Sequence, residues 1–120
     1  TNTVYEQLAT WHGRYSDTLE ILLFPSDEFR QELSSEKIPA FVQQYGLPTD
    51  GGGCTLMAKV DINGPATAPL WAHAKLVNRV ESIGWNFDGI FIFDAHGQPQ
   101  GRYHRGDLTG ADATLRRLLG

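Results

Sequence analysis

The sequence predicts an α/β fold, and three observations carry that prediction. Val4, Leu8, Trp11 and Tyr15 recur at helical spacing and give one apolar face. Leu19 to Phe24 is a short, nearly continuous apolar run, the pattern of a strand buried on both faces of a parallel sheet. Gly89 to Asp94 alternates Ile and Phe, reads as a core strand, and runs into a turn signal.

The elements follow in order. The first helix ends at Ser16-Asp17-Thr18, and Pro25 stops the strand that begins at Leu19. Residues 25–35 read as a polar loop. A second helix carries Ile38, Phe41, Val42 and Tyr45 on one face. Ser34 or Ser35 is its expected cap, Pro39 belongs to its first turn, and Gly46 suits its C-terminal end. Thr49 to Gly53 reads as a flexible connection, and Thr55 to Val60 as a short extended segment. Asn63-Gly64-Pro65 is a turn. A third helix is expected over Pro69–Glu81, with Leu70, Ala74 and Val77 facing inward. Asp94-Ala95-His96-Gly97 is a hairpin turn, with glycine where positive φ is needed. Gln100 to Arg105 then pairs back as an edge strand. Thr109 is the expected cap of a last helix, with Ala111, Leu115, Leu118 and Leu119 on its apolar face.

Composition narrows the function classes. A chain of 120 residues suits one domain, taken as 1–120, and its 41% hydrophobic content is near that of ordinary globular proteins. A net charge of −4 argues against nucleic-acid binding, which favours basic faces. No apolar run reaches the roughly 20 residues of a membrane span. No signal peptide is visible. The compartment stays unknown, with an intracellular or organellar one favoured over secretion. Cys54 is the only cysteine, so no intrachain disulfide is expected. His12, His73, His96 and His104 are scattered without ligand spacing, so no metal site is expected.

Several segments resemble the glutathione peroxidase family. Ile21-Leu22-Leu23-Phe24-Pro25-Ser26-Asp27-Glu28-Phe29 follows the frame of its Ile-Leu-Ala-Phe-Pro-Cys-Asn-Gln-Phe, with Ser-Asp-Glu in place of Cys-Asn-Gln. Arg30-Gln31-Glu32-Leu33 stands, one residue shorter, where the family has Gly-x-Gln-Glu-Pro. Lys59-Val60-Asp61-Ile62-Asn63-Gly64 is similar to its Lys-Val-Asp-Val-Asn-Gly, and Ala68-Pro69-Leu70-Trp71 to its Ala-x-Pro-Leu-Trp. Trp85-Asn86-Phe87 matches its Trp-Asn-Phe, and Val4-Tyr5-Glu6-Gln7-Leu8 resembles the helix after its catalytic Cys-Gly or Sec-Gly. The motifs cover almost the whole chain in the family's order.

The resemblance implies a thioredoxin-like fold whose first central strand is missing from this chain, so the domain is N-terminally incomplete. The peroxidatic cysteine or selenocysteine would fall about three positions before Thr1. By the same carry-over, Gln31, Trp85 and Asn86 are the catalytic donors around that anion. The physical reason is that amide and indole N–H groups aimed at a thiolate or selenolate favour ionisation. Their side chains are expected to converge near the N-terminus of the first helix, whose dipole favours an anion. Read without the family, Gln31 is ordinarily a solvated loop residue, Trp85 a core aromatic, and Asn63 and Asn86 turn residues. Asp27 and Glu28 would raise a thiolate pKa, which opposes catalysis. Cys54 matches neither usual cysteine position of the family. Gln43 stands where thioredoxin-dependent members place a resolving cysteine.

The implied activity is reduction of hydroperoxides, with glutathione or thioredoxin as reducing co-substrate and no metal or organic cofactor. The short interval from Trp71 to Trp85 implies a monomer-type member, or one recruited through some other surface. Both strands flanking the missing one read as buried, so residues before Thr1, a partner chain or a larger assembly are expected to fill the gap. A non-catalytic binding module or structural subunit is the competing reading, favoured by Ser26, Asp27 and Glu28.

Overall fold

A computed structural model of the chain describes residues 2–24, 37–57, 62–64, 67, 69–79, 83 and 89–120. Two units divide the chain, Thr1–Val60 and Asp61–Gly120, and each is taken by itself.

The first unit opens with helix α1, Asn2–Tyr15. Val4, Leu8, Trp11 and Tyr15 are all buried, so the helical spacing located the core-facing stripe correctly. The backbone N–H groups of Thr18 and Leu19 both return to the Tyr15 carbonyl and end the helix. Strand β1, Ile21–Leu23, follows. It is shorter than the apolar run and is not buried on both faces: Leu22 is 46% exposed between two half-buried neighbours. A continuous apolar run does not specify how many faces a sheet will cover.

Helix α2 spans Ile38–Gln43. Its N-cap is Lys37 without a side-chain cap bond, in place of the expected serine, and Pro39 sits in the first turn as expected. Tyr5 of α1 packs against Phe41 and stacks on Tyr45, both ring pairs 5.3 Å apart, so aromatic contact joins the two helices.

The glycine run is an ordered turn, not a flexible connection. Strand β2, Asp50–Gly51, pairs antiparallel with strand β3, Cys54–Leu56, and Gly51, Gly52 and Gly53 take φ of 95°, 72° and 101°. Only glycine adopts three such dihedrals in a row without strain. The sheet order is β1-β3-β2, with β1 and β3 parallel in the register Ile21↔Cys54, Leu22↔Thr55 and Leu23↔Leu56. His12 ties α1 to this turn. Its Nε2 lies 2.8 Å from the Gly52 carbonyl oxygen, which can only accept, so Nε2 carries the proton.

In the second unit, the Asn63-Gly64 turn is present. Gly64 has φ of 79°, and its carbonyl accepts from the Thr67 hydroxyl at 2.6 Å. Helix α3, Pro69–Val77, is shorter than expected. The Asn78 side chain donates to the Ala74 carbonyl at 2.8 Å, competing for the helix's own acceptors, and Arg79 turns left-handed at φ of 60°. Of its expected inward residues Ala74 is buried and Val77 half-buried, while Leu70 is 48% exposed.

Strands β4, Ile90–Phe93, and β5, Pro99–Tyr103, form the expected antiparallel hairpin, with a bulge between Ile92 and Phe93. Strand β4 is half-buried throughout rather than a fully buried core strand. Asp94 organises the turn. Its Oδ1 accepts from the backbone N–H of His96 and Gln98, and its Oδ2 from the Gln100 amide. These bonds, the one from Gln98 first, hold its carboxyl below the usual carboxylate pKa.

Helix α4, Leu108–Leu119, closes the chain. Its N-cap is Asp107, two residues before the expected Thr109, with Oδ1 accepting from the Gly110 N–H at 3.1 Å. A Cβ on Gly110 would lie 2.5 Å from Asp107 Oδ2, so glycine gives the cap its room. Ala111 and Leu115 are buried, and Leu118 and Leu119 half-buried. The Tyr103 hydroxyl bonds Thr114, and Arg117 donates to Gln100 at 3.0 Å, fixing α4 to β5.

Candidate active site

Gln31, Trp85 and Asn86 lie outside the described residues, as do Ser26, Asp27, Glu28 and the segment 58–61. The expected convergence of the three donors therefore falls there too. The described residues do define what leads into and out of the Trp85-Asn86 segment.

Asn63 and Ile83 are joined by two short hydrogen bonds across 20 positions of the chain. Asn63 Nδ2 donates to the Ile83 carbonyl and Asn63 Oδ1 accepts from the Ile83 N–H, both at 2.7 Å. One side-chain amide thus satisfies both backbone groups of a residue 20 positions away, as a neighbouring strand would. The match is chemically specific, because a side-chain amide presents one donor and one acceptor side by side. Ile83 itself is buried, as is Ile62 beside the asparagine. Leaving the Ile83 N–H or carbonyl unpaired would cost about 1–3 kcal/mol each.

Gly89 packs on the same spot. A Cβ there would meet Ile83 Cδ1 and Trp71 Cζ3, each at 3.1 Å. Trp71 in turn lies edge-on to Phe91 with ring centroids 5.5 Å apart. Residues 83 and 89 are therefore in contact, and Asn63, Ile83, Trp71 and Gly89 meet at one spot. On the sequence alone, Asn63 reads as a turn residue. The available signal was an asparagine directly after the apolar Ile62, where a side-chain amide is drawn into the interior.

Cys54 offers no alternative nucleophile. It is fully buried at the start of β3, and burial pushes its thiol up to about 11, with the nearby Glu20 carboxylate adding to the rise. A reactive thiol needs the opposite surroundings. Glu20 is itself held by the Thr55 hydroxyl at 3.1 Å. The histidines do not gather. His12 binds Gly52, His73 stacks on Phe93 at 6.5 Å, and His104 accepts from the Gly106 N–H. Among the described residues no group of three His, Cys, Asp or Glu side chains is placed to hold a metal ion. Among them, too, no helix is long and apolar enough to cross a membrane.

A parallel βα unit, a β-hairpin and a closing helix make this an α/β protein of thioredoxin-like fold. Comparison with known proteins narrows the class. The chain is 36% identical over 103 residues to mitochondrial glutathione peroxidase 1 of Chlamydomonas reinhardtii, covering 82% of this chain and 50% of that protein. It is 33% identical over 111 residues to the phospholipid hydroperoxide glutathione peroxidase of Hylobates lar, covering 86% and 53%. It is 34% identical over 103 residues to the glutathione peroxidase homolog BsaA of Bacillus subtilis, covering 82% and 62%. The chain belongs to the glutathione peroxidase family. It spans about half the length of the first two relatives. No protein-family model matches it.

Proposed function

We propose that the protein containing this chain reduces hydroperoxides with a thiolate or selenolate placed upstream of Thr1. The observation that carries the proposal is the similarity to glutathione peroxidases over more than four fifths of the chain, Trp85-Asn86-Phe87 included. The anion attacks the terminal peroxide oxygen and the O–O bond breaks. The departing alkoxide takes a proton and leaves as an alcohol, or as water from hydrogen peroxide. The nucleophile becomes a sulfenic or selenenic acid. A first thiol displaces water from it to form a mixed disulfide, and a second thiol releases the restored nucleophile. Glutathione or thioredoxin supplies those two electrons, and no metal or organic cofactor enters the cycle. Gln31, Trp85 and Asn86 donate hydrogen bonds to the anion and to the departing oxygen.

A second reading, a non-catalytic binding module or structural subunit, is favoured by one observation. Ser26, Asp27 and Glu28 replace Cys-Asn-Gln, and the carboxylates of Asp27 and Glu28 would raise the pKa of a nearby nucleophile. One experiment separates the two. The natural-length protein is assayed with hydrogen peroxide and with an organic hydroperoxide, using glutathione and then thioredoxin. Saturable turnover, lost when the upstream nucleophile is replaced by alanine, is the expected result. A serine or glycine at that position, with no turnover, favours the binding module.

A further inference from the structure

We propose that Asn63-Gly64 is a latent deamidation site that the fold holds shut through Ile83, and that its conversion is a one-way switch of this contact. The proposal does not depend on the peroxidase reading. Asn63 alone among the asparagines of the chain is followed by glycine. Glycine has no side chain to keep its backbone nitrogen away from the preceding amide. In such a pair the Gly64 nitrogen attacks Asn63 Cγ. The N–Cγ bond forms and the Cγ–Nδ2 bond breaks. The proton of the Gly64 N–H ends, by way of solvent, on Nδ2, which leaves as ammonia. Water then opens the succinimide at one of its two carbonyls. The product is aspartate, or isoaspartate with the main chain rerouted through the side chain. No oxidant, reductant or cofactor takes part.

The geometry places the restraint on Asn63 and not on Gly64. Gly64 is exposed, with φ of 79°, and a Cβ on it would meet nothing within 4 Å among the described residues. Packing therefore does not shield its nitrogen. The Ile83 N–H can only donate and the Ile83 carbonyl only accept, so both amide atoms of Asn63 are committed at 2.7 Å. Ring closure draws Cγ onto the Gly64 nitrogen and makes the planar amide carbon tetrahedral. Neither bond survives that step, and the buried Ile83 loses the partners of both its backbone groups. Deamidation thus requires the contact to open first. The product does not restore it. Aspartate offers only acceptors, so it keeps the bond from the Ile83 N–H and sets an oxygen against the Ile83 carbonyl. Isoaspartate also adds a methylene to the main chain directly before the Gly64 turn. The contact that prevented the reaction cannot re-form as it was, and each opening that ends in reaction is recorded permanently.

The test uses the natural-length protein at one mildly alkaline pH, over urea concentrations from none to full unfolding. Peptide mass spectrometry follows the amide-to-acid conversion of Asn63, and NMR follows hydrogen exchange of the Ile83 amide. Conversion should be at least about tenfold slower in the folded protein than in the unfolded one, because two buried groups lose their partners on opening. Below the unfolding transition, added urea should raise conversion at Asn63 and exchange at Ile83 by the same factor, since one opening governs both. In Asn63→Asp, the Ile83 amide should exchange at least about tenfold faster than in the unsubstituted protein, or the variant should fail to fold. Conversion as fast in the folded protein as in the unfolded one overturns the proposal. So does conversion that stays flat with urea while Ile83 exchange rises, or no conversion at Asn63 even in full urea. Ile83 exchange unchanged in Asn63→Asp overturns the one-way switch.

Discussion

Cys54 is the chain's only thiol, and its surroundings suppress the chemistry a thiol offers. Apolar burial and the Glu20 carboxylate both disfavour the thiolate, raising the pKa from the ordinary value near 9 to about 11. A folded-state pKa above the unfolded one means that the native protein holds this proton more tightly. The resulting stability is fully present below about pH 9 and is lost as the pH rises through 11. The difference in unfolding free energy between the unsubstituted chain and Cys54→Ala should therefore change by on the order of 2 kcal/mol between pH 8 and pH 11. Urea titrations at the two pH values read it, and a pH-independent difference refutes the assignment. The same burial predicts that the 120-residue chain, assayed with hydrogen peroxide and glutathione, turns over no faster than Cys54→Ala. Asn63 is the opposite case. Its amide is used to the full, but on the backbone of another residue.

At the scale of elements, most of what holds each piece in place is a single side chain at an end. Asp107 caps α4, and by accepting from the Gly110 N–H it satisfies one of the four N–H groups that a helix start leaves unpaired. Asp107→Ala should lower stability by about 1 kcal/mol. Thr109→Ala should be near neutral, which thermal unfolding of the two variants distinguishes. A larger loss from Thr109→Ala would return the cap to the residue the sequence suggests. Helix α1 was legible because four apolar residues at regular spacing leave one interpretation. The caps were not, because Asp107 and Thr109 are both acceptable cap residues two positions apart. Which oxygen reaches the N–H depends on where the preceding strand delivers the chain. The glycine run was misread for a related reason. Consecutive glycines allow both a flexible link and a turn of positive φ, and the pairing of β2 with β3 together with His12 selects the turn.

For the molecule as a whole, the two sheets formed by the described residues each end on an edge. Strand β1 closes one side of the order β1-β3-β2, and β4 has β5 as its partner in the second unit. If the natural-length protein carries a strand upstream of Thr1, as the peroxidase reading requires, the backbone N–H groups of Ile21–Leu23 and Ile90–Phe93 that face those edges should acquire partners. Hydrogen exchange reads this directly. These amides should exchange at least about tenfold more slowly in the natural-length protein than in the 120-residue chain, corresponding to roughly 1.4 kcal/mol of added protection. Equal exchange in both would argue against an upstream central strand.

The α/β class, the length and face of α1, the hairpin around Asp94 and the family were all determined by the sequence itself. These depend on periodicity, on turn residues with restricted dihedrals, and on motif order, which are local properties of the chain. Tertiary structure decided which faces the strands cover, that Cys54 is buried beside Glu20, that His12 secures a turn 40 residues away, and that Asn63 holds Ile83 across 20. Each of these joins groups that meet only once the loops between them have closed. A side-chain amide carries the same donor and acceptor whether it faces solvent or a buried backbone, and the fold alone determines which of the two it meets.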